Sequence, residues 1–445
     1  MRMSQRTSLL KILGLSFGLA VTVGNTIGGG ILRTPGDIAA LLPSPWMFVG
    51  IWVVGGLYAL LGANALSELG TMLPRSGGQY VFARHAFGDY AGFLVGWMDW
   101  ISTCASIGLV ALVLGESVAS VLALEPSRAS SVGMSVVVVF TILLLLGTRL
   151  GDLTQRITSL AKAIALMALV VACFAFSGRA QIPTPASNTA VAPTFFAAFL
   201  LAAQAVIYAY DGWSGPIYFS EELDDPARQI PQSMFYGLLS IAAIYVLINV
   251  AFVVALPASA LAGSPLAAGT VAKALFGDRG ETLVRLVVIA ALPSTVNALL
   301  LMGSRVLYSV SRDGLGLPFA THVNRGGTPV PSLAMTGVIA VAFLATGTFN
   351  TMIAIAAFFF VGSYTLSFIA VFVLRAREPN AARPYRAIGH PWSTGFVLLG
   401  SLAFLTSAVI ADRKNSLYAL LIVLVSYPVF RLSRQRVAPV PYVSE

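Results

Sequence analysis

Charged residues are scarce in this chain: they make up 10% of its 445 residues, whereas soluble domains carry about 25%. Hydrophobic residues make up 57%. A soluble core does not need so much apolar surface. The composition therefore excludes an ordinary soluble protein and predicts a protein that crosses a membrane several times.

Cysteine and histidine are also rare. Cys104 and Cys173 fall inside apolar runs, and the histidines, at 85, 322 and 390, lie in polar stretches. This spacing fits neither a disulfide framework nor a metal site, and no nucleophile or phosphate-loop motif occurs. A membrane enzyme is therefore the weakest hypothesis, and we expect no catalytic residue, metal or cofactor.

Twelve apolar runs recur along the chain, most of them near the length of about 20 residues that a helix needs to cross a bilayer. Backbone groups in lipid must pair internally, so these runs predict helices. We therefore expect an all-α membrane protein with about twelve transmembrane helices.

An even number of spans places both termini on one side of the membrane. If that side is the cytoplasm, most of the 27 Lys and Arg residues fall in cytoplasmic segments, as the positive-inside rule requires. We expect a multi-pass protein of the cell (inner) membrane, surrounded by lipid, with both termini cytoplasmic. The basic residues form no stripe, so no nucleic-acid partner is expected.

Two of the apolar runs are interrupted. The first contains GNTIGGG at 24–30, and the sixth contains YAYDGWSGP at 208–216. Irregular backbone at membrane depth is tolerated where it lines a cavity. Matching breaks in two halves of a chain are typical of a transporter built on an inverted repeat.

The first break offers both poles that a zwitterion needs. Amides that start the outer half of the helix can bind a carboxylate, and carbonyls that end the inner half can accept from an ammonium. Gly28, Gly29 and Gly30 would let a ligand approach the backbone. The alternative for these glycines is close helix packing.

Four other polar residues interrupt apolar runs. Asp211 could receive a substrate ammonium or cationic side chain, carry a proton, or cap the broken helix. Tyr208, one turn earlier, could close over a ligand or simply pack. Lys162 could bind carbonyls of the broken first helix or extend to the cytoplasmic surface. Asn297 could line the pocket or tie helices together.

Four motifs together resemble the amino acid–polyamine–organocation (APC) superfamily, and within it the L-type amino acid exchangers and their bacterial relatives. They are GNTIGGGI, PRSGGQYVFARHAFG, YAYDGWSGPIYFSEELDDPARQIP and GSRVLYSVSRDGLGLP. The resemblance runs from about residue 11 to about residue 375. The four motifs identify the superfamily, but they do not indicate which substrate the protein binds.

The resemblance implies a fold of five plus five helices related by an inverted repeat (LeuT-type), which works by alternating access. It implies one transmembrane transporter domain over 1–445. The first repeat would cover about 11–176, the second about 194–375, and two C-terminal helices about 394–432.

The resemblance also implies substrate-binding positions in the first break. Gly28, Gly29 and Gly30 match the carboxylate-binding segment of the family, while Val23 and Thr26 match positions near the α-amino group. The family often has serine where this chain has Gly29.

In the sixth helix, Tyr208 matches an aromatic gate, and Asp211 with Gly212 matches the unwound centre. Many L-type members have a small residue in place of Asp211, while some carriers of cationic substrates have aspartate there. Lys162 matches a lysine whose ammonium stands where sodium-coupled relatives hold an ion, which implies sodium-independent transport. We add Asn297 as a candidate pocket residue.

Animal L-type exchangers bind a partner glycoprotein through a cysteine between helices 3 and 4. The corresponding stretch here, ALEPSRASS, has none, so no covalent heavy subunit is expected.

The sequence thus favours amino acid exchange as the function. A proton-coupled amino acid or amine symporter is the alternative, with Asp211 or a glutamate as the proton site, and a transport-dead nutrient sensor is less favoured.

Overall fold

The computed structural model describes residues 9–179, 194–264, 266–277, 279–346 and 349–434. The helices in chain order are α1 (Leu15–Thr26), α2 (Gly30–Leu41), α3 (Pro45–Met72), α4 (Gln79–Phe87), α5 (Asp89–Val121), α6 (Ala129–Leu145), α7 (Thr148–Phe176), α8 (Phe195–Ala209), α9 (Pro226–Ala255), α10 (Ala258–Leu261), α11 (Ala267–Phe276), α12 (Arg279–Arg312), α13 (Val330–Thr346), α14 (Phe349–Arg377), α15 (Trp392–Ala411) and α16 (Arg413–Ser433). Within these residues, extended pairing is limited to two isolated bridges. The predicted all-α class is confirmed.

Ten spans are supported by helix length and composition within the described residues. Nine helices suffice alone, and α1 with α2 forms a tenth, bent span. Helices α8 and α13 are apolar but shorter, and α8 stops at a break in the helix. The predicted number of twelve therefore stays a prediction.

Helix α12 lies at the centre of the bundle. In its most apolar stretch 72% of the residues are buried inside the protein, against 22% for α6, α15 and α16. Small residues let the helices approach closely. At the crossing of α5 and α6, for example, a Cβ on Gly115 would lie 2.1 Å from the Ala129 carbonyl oxygen.

The first apolar run breaks where the sequence predicts. Helix α1 ends at Thr26, α2 begins at Gly30, and their axes differ by 44°. The last backbone bond of α1 runs from the Ile27 amide to the Val23 carbonyl, at 3.1 Å.

The second predicted break is also present. Helix α8 ends at Ala209, a turn follows, and a short 3₁₀ segment covers Gly215–Phe219. The turn needs glycine at position 212, because its φ is +110° and a Cβ there would lie 2.9 Å from the Thr26 amide nitrogen. The two breaks are thus in direct contact.

One end of the bundle is closed by an ion-pair cluster. We use this name for Arg75, Arg84, Glu221, Arg312 and Asp313. Asp313 accepts from Arg75 at 2.8 Å and from Arg84 at 2.6 Å, and Arg312 donates to both oxygens of Glu221 at 2.7 and 2.8 Å. These bonds join segments that are far apart in the chain.

Candidate functional site at the two helix breaks

A cavity of about 630 Å³ lies where the two breaks meet. It is bordered by both breaks, by α5, α12 and α14, and by the α15–α16 pair. It extends to exposed Asp37 near the end of α2 and to Asp412 at the start of α16. We call this side the open end, because exposed Asp37 lines the cavity there; no residue of the ion-pair cluster lines the cavity.

Six of the sequence-predicted residues line this cavity: Thr26, Gly28, Gly29, Gly30, Tyr208 and Asp211. The three glycines are partly exposed, and a Cβ added at Gly28 or Gly29 would meet no atom within 4 Å. At Gly30 it would meet Ala209 at 3.3 Å. Close packing therefore explains only the third glycine, whereas the first two border open space.

Hydrogen-bond donors accumulate at the first break. The Leu32 amide bonds to the Gly29 carbonyl at 3.2 Å, whereas the amides of Gly30 and Ile31 have no partner within their own helix, and they carry the positive end of its dipole. The Thr26 hydroxyl oxygen is buried without a hydrogen-bond partner among the described residues. An anionic group in the cavity could satisfy these donors.

Asp211 supplies the opposite charge. It lies in the turn after α8 and accepts a bond from the Tyr364 hydroxyl at 2.8 Å. No lysine or arginine of the described residues forms an ion pair with it. A carboxylate without a cation is costly at membrane depth, which favours a role in binding a cation or proton.

Two aromatic side chains border Asp211. The Tyr364 ring stacks on Trp213 at a centroid distance of 5.1 Å, and its hydroxyl also lies 3.0 Å from the Ser214 hydroxyl. Tyr208 packs near Phe360, with centroids 6.0 Å apart. Aromatic surface thus surrounds the carboxylate.

The ammonium group of Lys162 bridges the first break. It donates to the Gly24 carbonyl at 2.7 Å, to the Ile27 carbonyl, and to the Thr295 hydroxyl at 2.8 Å. The residue has no exposed surface. The alternative in which Lys162 extends to the cytoplasmic surface is therefore wrong.

Besides Lys162, three sequence-predicted residues do not border the cavity. Asn297 donates to the Gln155 side chain at 2.8 Å and to the Gly151 carbonyl at 3.3 Å, so it ties α12 to α7. Val23 packs against the hydrophobic core. Gly212 contributes backbone: its carbonyl accepts from the Asn25 amide at 3.1 Å.

Sequence reasoning missed Tyr245, which couples the two breaks. Its hydroxyl lies 3.0 Å from the carbonyl oxygen of Thr26 and 3.0 Å from that of Ala209, and can donate to either. It missed Thr295, which donates to the Gly24 carbonyl at 2.9 Å. Both residues stand in ordinary apolar helices, and only their polarity could have indicated a role.

The chain is similar to known proteins over most of its length. The family described as amino acid permease matches residues 8–430. The serine/threonine exchanger SteT of Bacillus subtilis is 29% identical over 98% of this chain and 99% of its own length. The mouse b(0,+)-type amino acid transporter 1 is 27% identical over 94% of this chain and 87% of its length. The mouse Asc-type amino acid transporter 1 is 28% identical over 86% of this chain and 74% of its length.

Proposed function

The chain belongs to the amino acid permease family, and on this premise we propose that it exchanges amino acids across the cell (inner) membrane by alternating access, without sodium. The observation that carries the proposal is the pairing of charges at the two breaks. Donors at the start of α2 and the unpartnered Thr26 hydroxyl suit the substrate carboxylate. Asp211 faces the same cavity and suits an ammonium group.

The substrate would bind through backbone more than through side chains. Its carboxylate would contact the amides around Gly28 and Gly29, where no Cβ intervenes. Its amino group or a cationic side chain would approach Asp211, with Tyr208 closing over it. The inverted repeat expected from the sequence would supply the symmetry for two alternating states.

Lys162 supports the absence of sodium coupling. Its ammonium group already binds the carbonyls of Gly24 and Ile27, which are the acceptors that an ion at the break would use. A fixed positive charge at this place disfavours a second cation.

The proposed orientation places the ion-pair cluster on the cytoplasmic side, with both termini, and the open end outside. The cluster is rich in arginine, as the positive-inside rule requires. On the open end, the connection between α5 and α6 contains no cysteine. We therefore propose that no heavy subunit is attached there by a disulfide.

A proton-coupled symporter is the second candidate function. The observation that favours it is the carboxylate of Asp211, which has no cation partner among the described residues and could alternate between neutral and ionised forms.

The test is uptake into proteoliposomes in sodium-free buffer. Labelled neutral and cationic amino acids are offered outside, and the vesicles are either empty or preloaded with unlabelled amino acid. Uptake that requires preloading and does not change when sodium is added supports the proposal. Uptake into empty vesicles driven by an inward proton gradient would replace exchange by symport. Absence of uptake under every condition would leave the sensor hypothesis.

A further inference from the structure

A second buried carboxylate lies outside the substrate cavity. Asp99 is in α5, ten residues after the helix begins, which places it about 15 Å along the helix axis. It is 3% exposed. The first residue of α5 that lines the cavity is Ser106, two helical turns further on. Asp99 therefore lies between the cavity and the ion-pair cluster.

The Asp99 side chain has a single partner among the described residues. The Tyr218 hydroxyl lies 3.0 and 2.9 Å from its two oxygens. Tyr218 belongs to the 3₁₀ segment Gly215–Phe219, which follows the second break. A carboxylate held only by a neutral hydroxyl keeps most of the cost of leaving water.

Other buried carboxylates of the bundle are treated differently. Glu222, which is fully buried, accepts two bonds from Arg305, both of 2.9 Å. Glu68, 1% exposed, accepts two bonds from Arg375, of 2.9 and 2.6 Å. A guanidinium group stabilises each of these as an ion. Asp99 is the exception in this set.

The elements around Asp99 provide no cation for it. Tyr218, and beyond it Asp211 and Tyr364, are the titratable groups that face it, and all are acidic. Helices α6 and α13 contain no charged residue. At this end of the bundle the basic residues of α4, α12, α14 and α16 all have other contacts: Arg84, His85, Arg305, Arg312, Arg375, Arg377 and Arg431. The remaining basic residues of α12 and α16 lie in the first turns of these helices, at the opposite end: Arg279, Arg285, Arg413 and Lys414.

We propose that Asp99 and Tyr218 form a proton-binding site, separate from the substrate cavity, in which the Asp99 carboxyl carries a proton while the ion-pair end is closed. A neutral carboxyl needs no counter-ion, and this removes the cost of a lone buried charge. The proton comes from hydronium in the adjoining water: one O–H bond of hydronium breaks and leaves water, while an O–H bond forms at one carboxylate oxygen. On release the carboxyl O–H bond breaks, and the proton returns to water as hydronium.

The surroundings of Tyr218 connect this site to the ion-pair end. Its backbone carbonyl accepts from the Gly77 amide at 3.4 Å. A Cβ on Gly78 would lie 2.3 Å from the Tyr218 ring. Both glycines closely follow Arg75 of the ion-pair cluster in sequence. Separation of the cluster would draw this packing apart, admit water to Asp99, and release the proton on that side.

The direct test is infrared spectroscopy of the whole protein in lipid at neutral pH. A protonated carboxyl has a carbonyl stretching band that an ionised one lacks. We expect this band in the wild type, and in Asp211→Asn, and its loss in Asp99→Asn. The control is Asp152→Asn, which removes a partly exposed carboxylate that is paired with Arg156 and should leave the band unchanged.

Absence of the band in the wild type, or its persistence in Asp99→Asn, would overturn the proposal. If Asp99→Asn fails to fold, Asp99→Glu keeps a carboxyl and should keep the band at a shifted frequency. The spectrum does not require transport, so its result is independent of the exchange assay.

A second variant distinguishes a titrating site from a permanently neutral one. Tyr218→Phe removes the hydroxyl that stabilises the ionised carboxylate. The pH at which the band disappears should then rise by about one unit or more, since a hydrogen bond to an ion is worth that much. An unchanged midpoint would contradict the assignment of the site to this residue pair.

Discussion

The ammonium nitrogen of Lys162 lies 2.7 Å from the carbonyl oxygen of Gly24, at the last turn of α1. The same nitrogen binds the Ile27 carbonyl beyond the helix end. One side chain from α7 thus satisfies the acceptors that the break leaves unpaired. The break is stable in the membrane because its polar groups have partners inside the protein.

Lys162→Met should therefore destabilise the fold and reduce transport. Two carbonyls lose their charged donor, at a cost of about 1–3 kcal/mol each in unfolding free energy. We expect a lower unfolding temperature in detergent and at least about a tenfold loss of exchange. Lys273→Met, on an exposed position of α11, is the matched control. Equal behaviour of the two variants would contradict this role.

Asp211→Asn tests whether this carboxylate binds the cationic side chain of a substrate; a role at the α-amino group, which all amino acids share, would lower uptake of neutral and cationic substrates alike. The substitution removes the charge and keeps the shape, so the Tyr364 bond can persist. Uptake of cationic amino acids should fall by about tenfold or more, the size of one charged hydrogen bond, while neutral amino acids change much less. Asp152→Asn serves as the control in the same assay. An equal loss for neutral and cationic amino acids would exclude Asp211 as a side-chain selector.

Alanine at Gly29 should affect binding more than folding. The added Cβ meets no protein atom within 4 Å, so the unfolding temperature should stay close to that of the wild type. The methyl group occupies space proposed for the substrate, and KM should rise by about tenfold. Gly50→Ala, where the Cβ also meets nothing, lies outside the cavity lining and should leave KM unchanged.

Alanine at Gly24, five residues before Gly29, should affect folding more than binding. A Cβ on Gly24 would lie 2.0 Å from the Gln155 amide nitrogen and 2.6 Å from the Ser159 hydroxyl. Gly24→Ala should lower the unfolding temperature before any substrate is added. An unaltered unfolding temperature would show that these two side chains can move away without cost.

Removal of one charge from the buried Glu222–Arg305 pair should be strongly destabilising. Glu222→Gln removes the negative charge beside the buried Arg305 guanidinium and leaves that cation uncompensated, at a cost of about 3–5 kcal/mol in unfolding free energy. Glu281→Gln breaks an exposed pair with Arg285 and should cost less than about 0.5 kcal/mol. Thermal unfolding in detergent measures both. Similar losses of unfolding free energy in the two variants would contradict the argument that burial makes the Glu222–Arg305 pair more costly to break.

Both helix breaks could be predicted from the sequence, because a cluster of glycine with asparagine or aspartate is costly inside an apolar run unless the helix is interrupted there. The position of Asp211 at the cavity could also be predicted, because this residue lies within the second break. Asp99 stands in an apolar run just as Asp211 does, but no break accompanies it, so the sequence alone does not single it out.

The contacts across the breaks could not be predicted. Tyr245 and Thr295 bind the breaks from α9 and α12, and their role depends on the rotation of each helix about its axis. Asn297 illustrates the same limit. The sequence places it at membrane depth, but the register of α12 turns it toward Gln155 of α7 and away from the cavity.

The ion-pair cluster has a consequence for the solution that bathes that face. Its arginines remain 20–30% exposed, so mobile ions reach them. Electrolyte weakens such attractions over a Debye length of about 8–10 Å at physiological strength. Concentrated salt on that face alone should loosen the closed end, and salt on the opposite face should not. The resting orientation of the carrier would then depend on the ionic strength of one compartment.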